Sequence, residues 1–330
     1  MPIRPRPTVG VIMVLFAALF FAVNGSASKL ILQAGIEPRD LATFRALGGC
    51  LGLIALGAVL RPGLPRFRIR ASELPLLITY GVTGFFAVPM LYFVGISRLP
   101  VGIALLFEFT APLFVALWAR FGQRQQVRPR LWIGFALSLT GLAIVAEVWG
   151  NLRLDGLGVA ASMLAAVLLA VYFILGAKGA AGRDSISLTG WAFGVSTIAG
   201  FATRGLGGQL PEWHALTGET ASGTPVWMLC GYLLVLGTIV PYLLIVGSLR
   251  HLPATSVGIL GMIEPVLAAG VAWIALGERL NPAQLTGGAV LLLGVGLAET
   301  ARVTVRQNEP HAPTEDGVLA SQRDSSPART

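Results

Sequence analysis

The sequence has little charge for its length. Only 12% of its 330 residues are Asp, Glu, Lys or Arg, which is about half of the roughly 25% that soluble domains usually carry. Apolar residues make up 55% of the chain. Because so few charges cannot cover a globular surface facing water, the composition excludes a soluble protein. It predicts instead a chain whose surface lies largely in a lipid bilayer.

Residues that form disulfides or bind metals are also scarce. The two cysteines, Cys50 and Cys230, lie 180 residues apart inside apolar runs, and the three histidines are scattered along the chain. This pattern excludes a disulfide framework and a zinc site. The sequence contains neither a phosphate-binding glycine loop nor a His-Glu metal pair, which are signatures of ATP hydrolysis and of metalloenzymes. We therefore expect no metal, no cofactor and no enzyme activity.

Long apolar runs account for most of the chain. Since a helix needs about 20 residues to cross a bilayer, ten of these runs qualify as spans. They lie at about 9–28, 40–60, 74–96, 100–119, 131–148, 156–177, 187–203, 226–248, 254–276 and 283–300. The sequence thus predicts an all-α polytopic membrane protein with ten transmembrane helices. Residues 1–8 form a short N-terminus, and the polar segment 301–330 is predicted to be a disordered tail.

Basic residues are distributed unevenly between alternate loops. With the N-terminus placed inside, 17 of the 24 lysines and arginines fall on the inner side and 6 on the outer side, while Arg45 lies within the second span. This bias is the one that the positive-inside rule describes. We expect a multi-pass protein of the inner (plasma) membrane with both termini cytoplasmic. The net charge of +8 follows from this topology and from attraction to anionic lipid, so it does not indicate nucleic acid.

The sequence repeats itself. A shift of 153 residues places spans four and five on spans nine and ten without a gap, and shifts of 152 and 148 align the earlier spans. The matched residues are Pro89 with Pro241, Pro112 with Pro265, Pro129 with Pro282, Gly134 with Gly287, Gly141 with Gly294 and Tyr80 with Tyr232. So many matches in register indicate a duplication. The first unit is predicted at 9–148, a linker at 149–155 and the second unit at 156–300.

Each predicted unit holds five spans, an odd number, so the second unit must enter the membrane inverted relative to the first. The charges agree, because the arginine-rich loop at 120–130 is predicted inside and its equivalent around Arg279 outside. Inverted repeats recur among secondary transporters, whose substrate sites lie near the midplane between the repeats. Two nearly equivalent halves also provide two nearly equivalent conformations. Without an ATP-binding segment, we expect such a transporter to run on a gradient or downhill.

Four of the matched prolines, Pro89, Pro112, Pro241 and Pro265, lie inside predicted spans. A proline within a helix removes one hydrogen bond and frees the carbonyl one turn earlier. In a bilayer such breaks are tolerated where protein or water surrounds them. The prolines therefore indicate that spans three, four, eight and nine line a cavity, although four purely structural kinks would leave the same pattern.

Two acidic residues lie at membrane depth. Glu108 and Glu264 are eight and ten residues into their spans, roughly 12–15 Å from the span starts at the helical rise, and thus near the bilayer centre. Carboxylates are costly there and mark functional sites by default. Glu108 has a structural alternative, since Arg45 lies in a span of the same direction and could pair with it. Glu264 has no cation at its depth within its own unit, so we favour it as the charge-bearing or ligand-binding group.

Further polar side chains fall inside the predicted spans. All five tyrosines do so, among them Tyr80, Tyr172 and Tyr232, and Asn24 occupies the position in span one that is equivalent to Tyr172. A buried tyrosine hydroxyl needs a hydrogen-bond partner. Taken singly, each residue is explained by packing as well as by ligand contact. Taken together, they are better explained by a water-filled cavity on the pathway of a substrate or ion.

At these positions the chain resembles the drug/metabolite transporter superfamily, specifically the EamA-type proteins with ten spans. The resemblance covers about residues 9–300. It rests on the duplicated unit and on Leu252-Pro253-Ala254, Ile263-Glu264-Pro265, Leu276-Gly277-Glu278-Arg279-Leu280 and the glycine-spaced final helix from Gln284. The stretch from Gly102 to Leu113, which contains Glu108 and Pro112, is similar to the threonine/homoserine exporter branch. The resemblance implies an inner-membrane exporter of amino acids or related small metabolites.

We therefore predict an exporter that works by alternating access, with proton coupling as one option and with a small-molecule substrate and the lipid bilayer as its partners. An exporter of drugs or lipid-like solutes is an alternative, which an apolar cavity would favour. A membrane scaffold or receptor that transports nothing is another, which a fully packed seam between the repeats would favour. The sequence does not specify the substrate, the coupling ion, the transport direction or the oligomeric state.

The inverted arrangement predicts opposite membrane sides for two equivalent loops. Gln125→Cys and Arg279→Cys, each in a chain whose two native cysteines are replaced by serine, should differ in their reaction with a membrane-impermeant maleimide. In intact cells only the cysteine at 279 is expected to react, because the 120–130 loop faces the cytoplasm, and both should react after permeabilisation. Labelling of both positions in intact cells, or of neither, would contradict the inversion.

Overall fold

The computed structural model describes residues 5–60, 68–99, 101–145, 148–149, 155–205, 214–221, 223–268 and 282–300. Within these ranges the chain forms ten helical rods, several of them interrupted, and a short 3-10 turn at His214–Thr217. The rods are α1 (Pro7–Gln33), α2 (Pro38–Leu60), α3 (Ala71–Arg98), α4 (Val101–Gly122), α5 (Pro129–Val145), α6 (Gly156–Gly182), α7 (Ser185–Gly205), α8 (Val226–Ser248), α9 (Ala254–Ala268) and α10 (Pro282–Thr300).

Seven of the rods, α1 to α4 and α6 to α8, are long and apolar enough to cross a bilayer. The described parts of α5, α9 and α10 are apolar but shorter. The prediction of an all-helical protein with many membrane spans is confirmed. The predicted tail 301–330, the end of the ninth predicted span at 269–276 and residues 150–154 of the predicted linker lie outside the described residues.

The first helix is longer than predicted. It continues to Gln33 instead of ending near residue 28, because small residues such as Ser26 and Ser28 do not break a helix inside a packed bundle. Gly35 ends the turn that follows with a φ of +104°, a left-handed conformation that glycine adopts without a steric penalty. Pro38 is then the first residue of α2, where its missing N–H leaves no helical bond unmade.

The helices that contain Pro89 and Pro241 carry the same irregularity in both units. A π-helical segment occupies Gly81–Ala87 in α3 and Val235–Ile239 in α8, and each ends two residues before the proline. A π-helical turn shifts the hydrogen-bond register, so it accommodates the bond that the proline cannot make. The equivalent placement extends the sequence repeat to the conformation of the backbone.

α4 and α9 are interrupted at equivalent positions. The helical segments are Val101–Glu108, Ala111–Leu117 and the π-helical turn Trp118–Gly122 in α4, and Ala254–Gly261 and 264–268 in α9. At the breaks, the N–H groups of Thr110 and Ile263 donate to carbonyls only three residues earlier, at 3.0 and 3.2 Å. Pro112 and Pro265 account for the breaks, since each lacks the N–H that would bond to the carbonyl four residues before it.

Equivalent helices of the two units pack against each other, and the α5–α10 pair is the tightest. Gly134 faces Ala298 and Gly141 faces Leu291, so the contacts run in opposite chain order and the pair is antiparallel. The backbones touch, because a Cβ added at Gly141 would lie 2.6 Å from the carbonyl oxygen of Gly287. Small residues permit such an approach between membrane helices.

The α2–α7 pair is antiparallel as well. Gly49 packs against the ring of Phe193 near the middle of both helices. At one end, the buried Arg204 donates from Nε to Oδ1 of Asp40 at 2.7 Å, from Nη2 to Oδ2 of Asp40, and from Nη2 to Glu37 at 3.0 Å. A two-pronged pair of this kind meets the geometric demands of a buried ion pair, and it joins the first turn of α2 to the last turn of α7.

The remaining helices complete the symmetry. α1 packs on α8, and its equivalent α6 packs on α3, where Gly95 meets the side chain of Ser162. α4 and α9 then face each other in the interior, with the Pro112 ring 3.0 Å from the place that a Cβ of Gly258 would occupy. The fold thus brings the two broken helices together between the units.

Because α5 and α10 pack so closely, replacing a glycine by alanine should reduce stability where the two backbones touch and not elsewhere on these helices. Gly141→Ala should lower the free energy of unfolding by about 1–3 kcal/mol, the usual effect of overpacking, because the added methyl group meets backbone atoms of Gly287 and Leu291. Gly296→Ala is the matched control on α10, since a Cβ there meets no atom within 4 Å. Thermal unfolding of the purified protein in detergent measures both variants, and equal effects would contradict this packing.

Candidate functional site

A cavity lies where the two units meet, and pockets between helices are a common place for small molecules to bind. Within the described ranges, seven helices contribute to its wall. The lining residues are Phe21, Asn24, Arg45, Val88, Pro89, Tyr92, Leu105, Glu108, Phe109, Pro112, Leu169, Tyr172, Phe173, Tyr242, Ile245, Val257, Gly258, Gly261 and Glu264. Seven of these nineteen residues have polar side chains, so the cavity combines an apolar wall with a few charged and hydroxyl groups.

The wall uses equivalent positions of the two units. The equivalent lining pairs are Phe21 and Leu169, Asn24 and Tyr172, which are 148 residues apart, and Leu105 and Gly258, Glu108 and Gly261, which are 153 apart. These are the shifts that align the repeats. The side chains differ in all four pairs, so the duplication explains the backbone of the cavity but not the placement of its charges.

Glu108 and Glu264 both line the cavity. Glu108 is the last residue before the break in α4, and Glu264 is the first residue after the break in α9. In the part of the chain that the structure describes, neither carboxylate accepts a hydrogen bond or lies within 4 Å of a basic side chain. Two unpaired carboxylates in one cavity can bind an ammonium group or protons.

Arg45 also lines the cavity and is buried, with 3% of its surface exposed. Its Nη2 donates to the Tyr242 hydroxyl at 2.8 Å, and its guanidinium carbon lies 5.2 Å from the centre of the Tyr242 ring and 5.7 Å from that of Phe93. These contacts hold the guanidinium against α8 and α3. Arg45 and Glu108 do not come within 4 Å of each other, so the direct ion pair that the sequence raised as a structural alternative is not formed.

The tyrosines divide into those that line the cavity and those that support its wall. Tyr172 is in the lining, whereas Tyr80 lies behind it, fully buried and stacked parallel to Tyr172 with 5.2 Å between ring centres. Tyr232 is also outside the lining that the described residues form, and its hydroxyl donates to the carbonyl of Phe20 on α1 at 3.0 Å. Of these three predicted pathway residues, the structure brings only Tyr172 to the cavity surface.

The other predicted residues are placed as follows. Asn24 is in the lining, and its Oδ1 accepts a hydrogen bond from Ser28 at 3.3 Å. Pro89 and Pro112 are in the lining, and α8 and α9, which carry Pro241 and Pro265, contribute other residues to it. The four helices with matched prolines therefore all form part of the cavity wall.

Sequence reasoning did not single out most of the apolar wall. Phe21, Phe109 and Phe173 line the cavity, but a phenylalanine in a membrane helix looks the same in sequence whether it faces lipid, protein or a cavity. Tyr92 and Tyr242 are also in the lining. The one sequence signal for these two tyrosines is that a buried hydroxyl needs a hydrogen-bond partner. The same signal applies to Tyr80, which lies outside the lining that the described residues form.

Comparison with known proteins identifies this architecture. The EamA-like transporter family matches the chain twice, at residues 8–146 and 156–300. The chain belongs to the EamA-like transporter family. Its duplicated unit is the unit of that family, and the protein is a multi-pass membrane transporter and not an enzyme.

Individual relatives extend the similarity over most of the chain. The threonine/homoserine exporter RhtA of Escherichia coli (strain K12) is 32% identical over 309 residues, which are 91% of this chain and 95% of that protein. The uncharacterized transporter YdfC of Bacillus subtilis (strain 168) is 26% identical over 80% of this chain and 83% of its own length. A solved protein structure matches 90% of this chain and 99% of its own with a TM-score of 0.69 at 20% identity, which shows a shared fold.

Gly261 offers a way to fill the cavity without disturbing the helices around it. The residue lines the cavity, and an added Cβ would meet no atom within 4 Å. Gly261→Leu should therefore fold normally yet reduce transport by about tenfold or more, the scale on which small changes of volume act in a tight site. Gly231→Leu is the matched control, because Gly231 has similar free space but lies outside the lining. Equal flux through both variants in a vesicle assay would show that the cavity is not the transport site.

Proposed function

We propose that this chain is a secondary transporter that exports amino acids or related small metabolites across the plasma membrane. The observation that carries the proposal is a cavity, built by both units, whose wall holds the unpaired carboxylates of Glu108 and Glu264. A relative that covers 91% of the chain is named a threonine/homoserine exporter, which supports both the direction of transport and the substrate class. The bacterial relatives also support the plasma membrane, and the charge bias supports cytoplasmic termini.

The repeat supports alternating access as the transport mechanism. α2 packs antiparallel to α7, and α5 to α10, and the helices of each pair are repeat equivalents. This arrangement supports a second unit that is inverted in the membrane. Because the two halves then make nearly the same internal contacts, an exchange of their conformations opens the cavity to the other side. The broken helices α4 and α9 are the equivalent elements at its centre.

Glu264 is the charge-bearing group in this proposal, and Glu108 is the second acidic group. A substrate ammonium forms charge-assisted hydrogen bonds with these carboxylates. After the substrate leaves, a carboxylate at membrane depth is costly unless it takes up a proton. Alternate binding of substrate and proton at Glu264 would couple export to the entry of protons.

A drug or lipid-like solute is the second candidate substrate, because twelve of the nineteen lining residues are apolar. The seven polar residues of the lining favour a small polar metabolite. A scaffold that transports nothing would have no use for two unpaired carboxylates in an internal cavity. Competition separates the two transport candidates, since a lipophilic cation should inhibit a drug exporter and threonine should inhibit an amino-acid exporter.

The proposed role of Glu264 predicts a specific loss of flux. Glu264→Gln should lower threonine flux in vesicles by about 10- to 100-fold, because a hydrogen bond to a charged group contributes about 1.5–3 kcal/mol. Folding should survive, since the change removes an unpaired charge from the protein interior. Glu219→Gln, at an exposed position outside the cavity, is the matched control. Unchanged flux in Glu264→Gln would remove this residue from the mechanism.

A further inference from the structure

Arg45 is a buried cation whose hydrogen bonds are incomplete. Its Nε atom is buried and has no hydrogen-bond partner among the described residues, and no carboxylate of those residues lies within 4 Å of the guanidinium. A charge withdrawn from water is strongly unfavourable unless it is paired and hydrogen-bonded. The missing partner points to an anion that comes from outside the chain.

The position of Arg45 suits a ligand site. It lines the same cavity as Glu108 and Glu264, so an anion bound to it would share that cavity with two carboxylates. A guanidinium has five N–H groups in a planar fork, and the hydrogen bond to Tyr242 at 2.8 Å occupies one of them. The other N–H groups on the two Nη atoms can bind the two oxygens of a carboxylate in the two-pronged geometry that arginine forms with this group.

We propose that Arg45 is the carboxylate-binding subsite of this cavity and that the transported molecule carries a carboxylate as well as an amino group. Arg45 binds the carboxylate, and the acidic pair of Glu108 and Glu264 binds the ammonium. The inference rests on the proposed function and narrows it to a substrate that is charged at both ends. An amine without a carboxylate, or a lipophilic cation, would leave Arg45 unpaired.

Tyr242 is the positioning residue of this subsite. Its hydroxyl accepts the bond from Arg45, and its ring lies beneath the guanidinium at 5.2 Å. The ring is held in turn by Phe85 and Phe193, whose ring centres lie 4.8 and 5.4 Å away. The guanidinium is thereby oriented before an anion arrives, so that less side-chain freedom is lost on binding.

Analogues of threonine test the subsite directly. Uptake of labelled L-threonine into proteoliposomes is competed with 1-aminopropan-2-ol, which lacks the carboxylate, and with N-acetyl-L-threonine, which lacks the ammonium. In the wild type threonine should compete about tenfold more strongly than either analogue, as expected for the loss of one charged hydrogen-bond partner. Arg45→Gln should weaken threonine binding by about tenfold. The variant should also no longer prefer threonine over 1-aminopropan-2-ol. Arg120→Gln, at an exposed position outside the lining, should keep both properties.

Two conservative variants test the planar donor geometry of Arg45 apart from its charge, and the contribution of the Tyr242 hydroxyl that orients it. Arg45→Lys keeps the charge but not the planar donors, so it should restore only part of the threonine affinity. Tyr242→Phe keeps the ring and removes the hydroxyl, and it should raise the KM for threonine about threefold, in line with the loss of one hydrogen bond, while maximal flux is retained. A fall in maximal flux with unchanged KM would contradict a positioning role.

Thermal unfolding distinguishes a ligand site from a structural one. Without ligand, Arg45→Gln should melt at the same temperature as the wild type or higher, because it removes an unpaired buried charge. Threonine should raise the melting temperature of the wild type and not that of the variant. A variant that melts lower and still binds threonine with normal affinity and selectivity would make Arg45 a structural residue and overturn the inference.

The outcomes also separate this inference from the proposed function. If the wild type carries threonine and Arg45→Gln keeps the same affinity and analogue preference, the subsite is wrong and the exporter function stands. If the wild type carries no amino acid, the proposed function fails, and the subsite is judged by melting experiments with the twenty amino acids and with acetate. Stabilisation that disappears in Arg45→Gln would support the subsite, and a wild type that none of these carboxylates stabilises would overturn it.

Discussion

In a bilayer every backbone N–H and C=O must find its partner within the protein, and the rest of this structure depends on that constraint. In the described helices the regular bonding pattern changes near Pro89, Pro112, Pro241 and Pro265. π-helical turns precede Pro89 and Pro241, and short stretches with hydrogen bonds to the third residue back precede Pro112 and Pro265. All four helices contribute to the wall of the cavity, where protein and a ligand, instead of lipid, can meet the freed carbonyls. The candidate site thus lies where regular helical hydrogen bonding is interrupted.

The two units share backbone geometry but not chemistry. Equivalent positions contribute to the wall from both sides, yet Glu108 of the first unit corresponds to Gly261 of the second. Glu264 lies three residues further along α9 than Gly261, so each unit supplies one acid from a different position. In the proposed transport cycle, similar backbones allow the two units to exchange conformations, and different side chains determine which molecule the cavity binds. Duplication and divergence therefore account for separate properties of the same site.

The charged side chains of the helices fall into two groups, those with an ion-pair partner and those without one. Near the ends of α7 they are paired, since Arg204 binds Asp40 and Arg183 binds Glu73 at 2.6 Å, and these pairs join helices. In the cavity, Arg45 and the two glutamates have no ion-pair partner among the described residues. The cavity therefore holds charged groups of both signs that have no ion-pair partner among the described residues. This distribution, more than the size of the cavity, supports the proposed substrate with two charges.

The sequence by itself predicted ten helices in their order, the duplication, and the two acidic residues Glu108 and Glu264 within apolar helices, because hydropathy and repeat spacing are properties of the linear chain. It also suggested Arg45 and Glu108 as partners on the basis of charge and depth. Only the tertiary structure decided that the guanidinium of Arg45 donates to the Tyr242 hydroxyl and that Tyr80 lies behind the cavity wall. The reason is physical: helices that are apolar on all sides carry no amphipathic pattern to reveal their rotation. That rotation, and with it the choice of which polar groups meet, is set by packing between helices far apart in the chain.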